Sequence, residues 1–237
     1  MPTPEKDENG EERLAGYWDT RCVSIICRYL NSGFPVLIAG QDHALTLVGW
    51  KRDETGNVTF VACDDQVGPY EEIPSPFQHR KAPWQSIMVP LPPKVFLTGE
   101  MAESDAHRAL MAIWYSSNPE LVKELRVGSI QLRSRLKSVQ EFKHEIADQT
   151  ISDEVLRAIR LAHLPHYVWA VEAHQIDLCR RGPCVLATLL FDATSSDHEP
   201  RLSVISAPGA TAVFRPDGHG EVFSGASDPW NSMLIAH

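Results

Sequence analysis

The hydrophobic positions of this chain change period several times, and the changes mark its elements. Cys22, Ile25, Ile26, Tyr29 and Leu30 recur at helical spacing. Asp19-Thr20 can cap that helix at its start, and Asn31-Ser32-Gly33 carries the residue types that end one. Three runs of strand character follow: Phe34 to Ala39, His43 to Trp50 and Val58 to Cys63. The second and third are joined by Asp53-Glu54-Thr55-Gly56-Asn57, a hairpin-type turn. Gly68-Pro69-Tyr70 is read as the end of this block. Pro74 to Pro83 reads as loop, and Ser86 to Pro90 as one more short strand.

Pro90-Leu91-Pro92-Pro93 predicts a boundary, because successive prolines cannot donate to a sheet and favour extended linkers. The expected division is residues 1–90 and 91–237. Beyond it Ser104 opens a helical run with Ala106, Leu110, Ile113 and Trp114 on one face. Asn118-Pro119-Glu120 is a helix start, with proline where its missing N–H does no harm. Arg133 and Arg135 alternate with Leu132 and Leu136, a half-exposed strand leading into Ser138-Val139-Gln140-Glu141, which has capping-box spacing. A last helix, Ser152 to His163, stops at Pro165. Strands are then expected at Tyr167–Val171, Cys184–Phe191, Leu202–Ser206 and Ala212–Phe214. Strands and helices in blocks imply an α+β class.

Composition narrows the partners. A net charge of −9 leaves no basic footprint, so neither nucleic acid nor an anionic membrane is an expected partner. No apolar run approaches the roughly 20 residues of a spanning helix. The opening Met1 to Glu12 is acidic and polar, without the apolar centre of a signal peptide. The five cysteines are scattered, which suits a reducing compartment better than a disulfide framework, and a cytoplasmic location is expected.

The chemistry concentrates between Ile25 and Tyr70. A helix leads to Leu30-Asn31-Ser32-Gly33-Phe34-Pro35-Val36, then His43-Ala44-Leu45-Thr46-Leu47-Val48-Gly49 opens a strand. The partner strand after the hairpin delivers Asp64-Asp65 before Gly68-Pro69-Tyr70. A hairpin sets the start of one strand beside the end of the next, so His43 can meet Asp64 or Asp65. Alternation places Val58, Phe60, Ala62 and Asp64 on one face and Cys63 and Asp65 on the other. A histidine oriented by a carboxylate is what a thiol nucleophile needs: the thiol is largely protonated at neutral pH until an imidazole takes its proton.

This string resembles the papain-like cysteine peptidase superfamily, in its bacteriocin-processing (double-glycine-leader) branch, over residues 25–70 only. The resemblance implies an antiparallel half-barrel sheet with a helix in residues 1–90, followed by a mixed helix-and-strand region. It also implies hydrolysis of a peptide or amide substrate through a thioester. His43 matches the general base and acid. Asp64 matches the orienting residue, with Asp65 as its rival. In that family the nucleophilic cysteine opens a helix well upstream of the histidine. Here the residues before His43 are taken up by the helix and strand, so the expectation is a His/Asp half whose thiol belongs to a segment preceding Met1, or a degenerate member. The chain alone would then be inactive.

Cys22, in the first turn of its helix, is the one candidate within the chain, since a helix N-terminus favours a thiolate. Cys27 and Cys63 read as packing residues. Cys179 and Cys184, with His174 and His198 nearby, match no ligand spacing, and His163 and His166 flank a helix stop; no metal or cofactor is expected. Trp169 reads as core, while Glu172 and Asp192 each end an apolar strand where they could face a cleft. The alternative function is a papain-like binding or scaffold protein without catalysis.

Overall fold

The computed structural model describes residues 5–6, 12–13, 21–40, 43–54, 57–74, 84–117, 130–147, 152–175, 185–195, 201–207, 210–215 and 219–224. The chain divides into two compact units, Met1–Leu91 and Pro92–His237, the break falling inside the Pro90–Pro93 stretch. Among the described residues it is α+β, with four helices and two larger antiparallel sheets, neither closed into a barrel. No described helix is long and apolar enough to cross a membrane.

In the first unit a two-stranded ladder pairs β1 (Glu5–Lys6) with β2 (Glu12–Arg13). Helix α1 (Val23–Asn31) follows. It ends as its sequence suggested: Gly33 takes a φ of +78°, its N–H bonds the Leu30 carbonyl, and the Phe34 N–H reaches back to the Tyr29 carbonyl. That left-handed turn satisfies the last carbonyls and is open to glycine without strain. The main sheet has the order β6-β5-β4-β3-β7, with β3 (Val36–Ala39), β4 (Ala44–Arg52), β5 (Val58–Asp64), β6 (Gly68–Pro74) and β7 (Ser86–Met88) all antiparallel. Cross-strand register aligns Val36, Leu47 and Ala62, and beside them Ile38 with Leu45, on one buried face. The β4–β5 turn is closed by Asp53, whose N–H donates to the Asn57 carbonyl and whose carboxylate accepts the Asn57 N–H.

Gly68-Pro69-Tyr70 does not end this block; it opens β6. Pro69 is tolerated because β6 is an edge strand and an edge has N–H positions no neighbour needs. Gly68, with φ +135°, makes the entry into that strand after the Asp65–Val67 turn. Of the loop expected over 74–83, Pro74 is instead the last residue of β6, and 75–83 lie outside the described residues.

In the second unit helix α2 (Gly99–Ser117) starts one turn before Ser104, where the Thr98 hydroxyl accepts the Met101 N–H. Strand β8 (Ile130–Ser138) runs into helix α3 (Val139–Ala147), and helix α4 (Asp153–Leu161) follows. The box at Ser138 is formed in both directions: Ser138 N–H donates to Glu141, and Glu141 N–H donates to Ser138 Oγ. Then come β9 (Tyr167–Gln175), β10 (Val185–Asp192), β11 (Leu202–Ala207), β12 (Ala210–Phe214) and β13 (Gly220–Ser224), a six-stranded meander in chain order. Strand β13 was not expected from its short polar run. The helix start at 118–120 lies outside the described residues.

Helix α2 packs on β8 and β9, where Ser134 Oγ donates to Glu103 and Trp169 Nε1 donates to the Leu97 carbonyl. Helices α3 and α4 cover an apolar row of the sheet, Ala170-Leu190-Val204-Val213, with Phe142, Ile146, Val155 and Ile159. Two residues along each strand lies a second row, Glu172-Thr188-Ser206-Thr211, polar and buried.

Candidate functional site

Two buried polar side chains of the first unit, His43 and Asp64, meet at one end of the five-stranded sheet. His43 sits one residue before β4, and its carbonyl accepts the Gly40 N–H, a bond between the residues flanking β3 and β4 that anchors the His43 backbone. Asp64 is the last residue of β5. The Thr46–Cys63 pairing sets Asp64 across from Leu45, and His43 is two residues from Leu45 on the same face. Diagonal neighbours of that kind are within reach of long side chains. The reach is made: His43 Nε2 lies 2.8 Å from Asp64 Oδ2. A carboxylate only accepts, so Nε2–H is the donor, and in the neutral ring Nδ1 keeps its lone pair.

Both partners are inside, His43 at 9% and Asp64 at 6% exposure. Asp64 is held twice, because its Oδ1 accepts the Gln66 N–H at 2.9 Å. That local bond closes the turn after β5 and leaves Oδ2 directed at the imidazole. Trp84 supplies a wall: the Gln85 N–H bonds the Ala39 carbonyl, which brings the residue before β7 to this end of the sheet. Its ring centroid lies 6.5 Å from that of His43, tilted by 43°. A buried indole beside the pair keeps water back and strengthens the charge-assisted bond. Trp84 lay just outside the Ser86–Pro90 strand expected from sequence, and no local periodicity marks it.

Asp65 is exposed, and one of its oxygens lies within 4.8 Å of the ligand atoms of His43 and Asp64. No cysteine belongs to that three-residue group among the described residues. Cys22, Cys27 and Cys63 are thiols rather than disulfides. Cys22 is buried at the start of α1, in the N-cap position, where it makes no side-chain capping bond. Cys27 is buried in α1, and that burial pushes its thiol up to about 12, against the opposing pull of Arg52, its own backbone and Arg28. Such a thiol stays protonated and does not attack. Cys63 is half-buried and neighbours Asp64 along β5, in register with Thr46. Cys179, Cys184 and His198 lie outside the described residues.

The second unit brings other candidates together differently. Glu172 and His174 sit inside β9 rather than beyond its end, and His174 Nε2 lies 3.0 Å from Glu172 Oε2, both almost fully buried. Asp192 turns its Oδ1 back to accept from the Thr194 N–H and Oγ1, ending β10. It lines a cleft of about 360 Å³ with His163, Arg201 and Arg215, and Glu172 is not among the lining residues. The His166 carbonyl accepts the Val139 N–H, a structural bond. Trp169 is fully buried. Lys137 is nearly buried against Glu145; desolvation holds its ammonium below the usual range, opposed by the Glu145 contact.

Comparison with protein-family models, with curated proteins and with solved structures gives no match for this chain.

Proposed function

We propose that the first unit carries the histidine-and-carboxylate half of a papain-like thiol hydrolase site, acting on a peptide or amide. His43 is the general base and later the acid, and Asp64 orients it. The observation that carries the reading is the 2.8 Å bond between His43 Nε2 and Asp64 Oδ2, made across two strands by residues 21 positions apart. It fixes the tautomer in which Nδ1 can accept a proton from a thiol. The thiolate then attacks the carbonyl, and the imidazolium returns its proton to the leaving amine, giving a thioester that water hydrolyses. Cys27 is held protonated and, among the described residues, no cysteine joins the His43 group, so the chain alone is expected to turn over slowly or not at all.

A supplied thiol tests this. The chain is mixed with p-nitrophenyl acetate and cysteamine, and p-nitrophenolate release is followed against cysteamine alone. The expected result is an acceleration of about a hundredfold, the lower end of what a positioned base contributes, absent without cysteamine and lost in His43→Ala. No His43-dependent rate with the thiol present defeats the reading. Rapid iodoacetamide labelling of Cys22 that disappears in His43→Ala would instead make Cys22 the nucleophile of a self-contained enzyme.

A second reading, a non-catalytic binding or scaffold protein, is favoured by one observation: the side chains of His43 and Asp64 are only 5% and 4% exposed. It expects His43→Ala to lower stability while no thiol-dependent rate exists to lose.

A further inference from the structure

The ligand atoms of His43, Asp64 and Asp65 lie within 4.8 Å of one another. Donors bound at about 2.0–2.2 Å around a divalent ion stand roughly 3–4 Å apart, so a shift of about 1 Å closes this group on a cation. The set is not a surface acidic patch. His43 and Asp64 are each more than nine-tenths buried, and strand ends fix both backbones. No basic side chain among the described residues pairs with Asp65, the exposed member. With a neutral imidazole the trio carries two negative charges in a space where Trp84 limits water. The Gln66 N–H on Asp64 Oδ1 is the kind of outer bond that orients a metal-ligating carboxylate.

We propose that His43, Asp64 and Asp65 form a binding site for a first-row divalent transition cation, with His43 and Asp64 as inner ligands and Asp65 closing it from solvent. One imidazole and two carboxylates suit zinc, cobalt or manganese, and lack the thiolates that would select copper(I). Sequence spacing missed this site because its ligands come from two strands and a turn. The coordination stands on its own geometry. Its consequence rests on the hydrolase reading: an ion at Nε2 displaces the bond to Asp64, an ion at Nδ1 occupies the thiol's place, and either blocks proton transfer. The cation is therefore an inhibitor of the half-site.

The test titrates the untagged full chain with zinc chloride by calorimetry and with cobalt chloride by visible absorption. One equivalent is expected to bind with a dissociation constant in the micromolar range. Asp65→Asn, an exposed change that leaves the His43–Asp64 bond intact, should weaken binding at least tenfold, and His43→Gln should abolish it, with circular dichroism confirming that both variants fold. Absence of a one-equivalent event in the wild type, or an event that persists unchanged in both variants, overturns the proposal. The cysteamine assay separates the two claims. Metal binding without thiol-dependent turnover defeats the hydrolase reading alone, and turnover without metal binding defeats the cation site alone.

Discussion

Each unit of this protein buries a histidine against a carboxylate, and the two pairs are built in opposite ways. His43 and Asp64 come from different strands at the end of a sheet, and an exposed Asp65 lies beside them. Glu172 and His174 are next-but-one neighbours on β9, inside a six-stranded sheet, with Thr188 across from Glu172. Identical chemistry therefore meets different surroundings. In the second unit the pair continues a row, Glu172-Thr188-Ser206-Thr211, in which Ser206 and Thr211 hydroxyls bond each other at 3.0 Å. Those two hydroxyls satisfy each other, as buried polar groups must. In the first unit the arrangement holds Asp64 from two sides at a strand end, and in both units the bond uses one imidazole nitrogen and leaves the other uncommitted by it. What separates the two pairs is therefore their setting, a strand end beside an exposed third carboxylate in one unit and the interior of a buried polar row in the other.

The largest expected effect breaks the second pair. Glu172→Ala strands a fully buried imidazole, and removing one partner of a buried charged bond costs about 3 kcal/mol. Urea unfolding should show the loss, and hydrogen exchange should place it in β9 and β10. Glu172→Gln keeps an acceptor and should lose about 1 kcal/mol. Thiol-dependent turnover at His43 should be unchanged in both. A fall in turnover with stability intact would give the second pair a chemical role and erase the contrast.

A smaller effect probes the turn behind Asp64. Gly68 has a φ of +135°, which L side chains rarely adopt, and a Cβ there would meet nothing within 4 Å. The cost of Gly68→Ala is therefore backbone strain, about 1–2 kcal/mol, rather than collision. Gly68 is paired with Asp64, so the strain falls on the carboxylate's own turn. The expected outcome is a fall in thiol-dependent rate larger than the fall produced by an equally destabilising change elsewhere in the sheet. Equal falls would mean that the turn has no part in aiming Asp64.

The His43 half-site was legible in residues 25–70 because it depends on local order. Gly33 stops a helix, a turn pairs two strands, and alternation puts Asp64 rather than Cys63 on the face of Ala62. The rest depended on contacts between distant segments. Trp84 is brought beside His43 by the backbone bond of the next residue, Gln85, to Ala39, and nothing in its own neighbours announces that. Glu172 looked like a strand end because a charged residue follows Val171. In fact Glu172 and His174 alternate with Val171 and Ala173, and the strand continues because each acid or base finds a buried partner. Pro69 suggested a stop where an edge strand begins. The register that makes β6 an edge is a property of the whole sheet, and no short window contains it.

The smallest expected effect supplies an exposed carboxylate against which both buried pairs can be judged. Glu141 closes the capping box at the start of α3, and the Ser138 N–H holds its carboxyl below the ordinary 4.5, with desolvation opposing and the Ser138 side chain, Arg135 and Lys137 helping. A depressed carboxyl contributes stability above its unfolded value, and the contribution is lost as pH falls through the lower folded value. Because the group is largely in water, screening reduces it to about 0.5 kcal/mol. Glu141→Gln should therefore be less stable than wild type by that amount at pH 7, with the gap closing below the lowered value, and salt should shrink it further. Urea midpoints of the two proteins across pH 3 to 7 measure it. A gap that stays constant down to the acid limit would mean that the capping geometry, rather than the charge, supports α3.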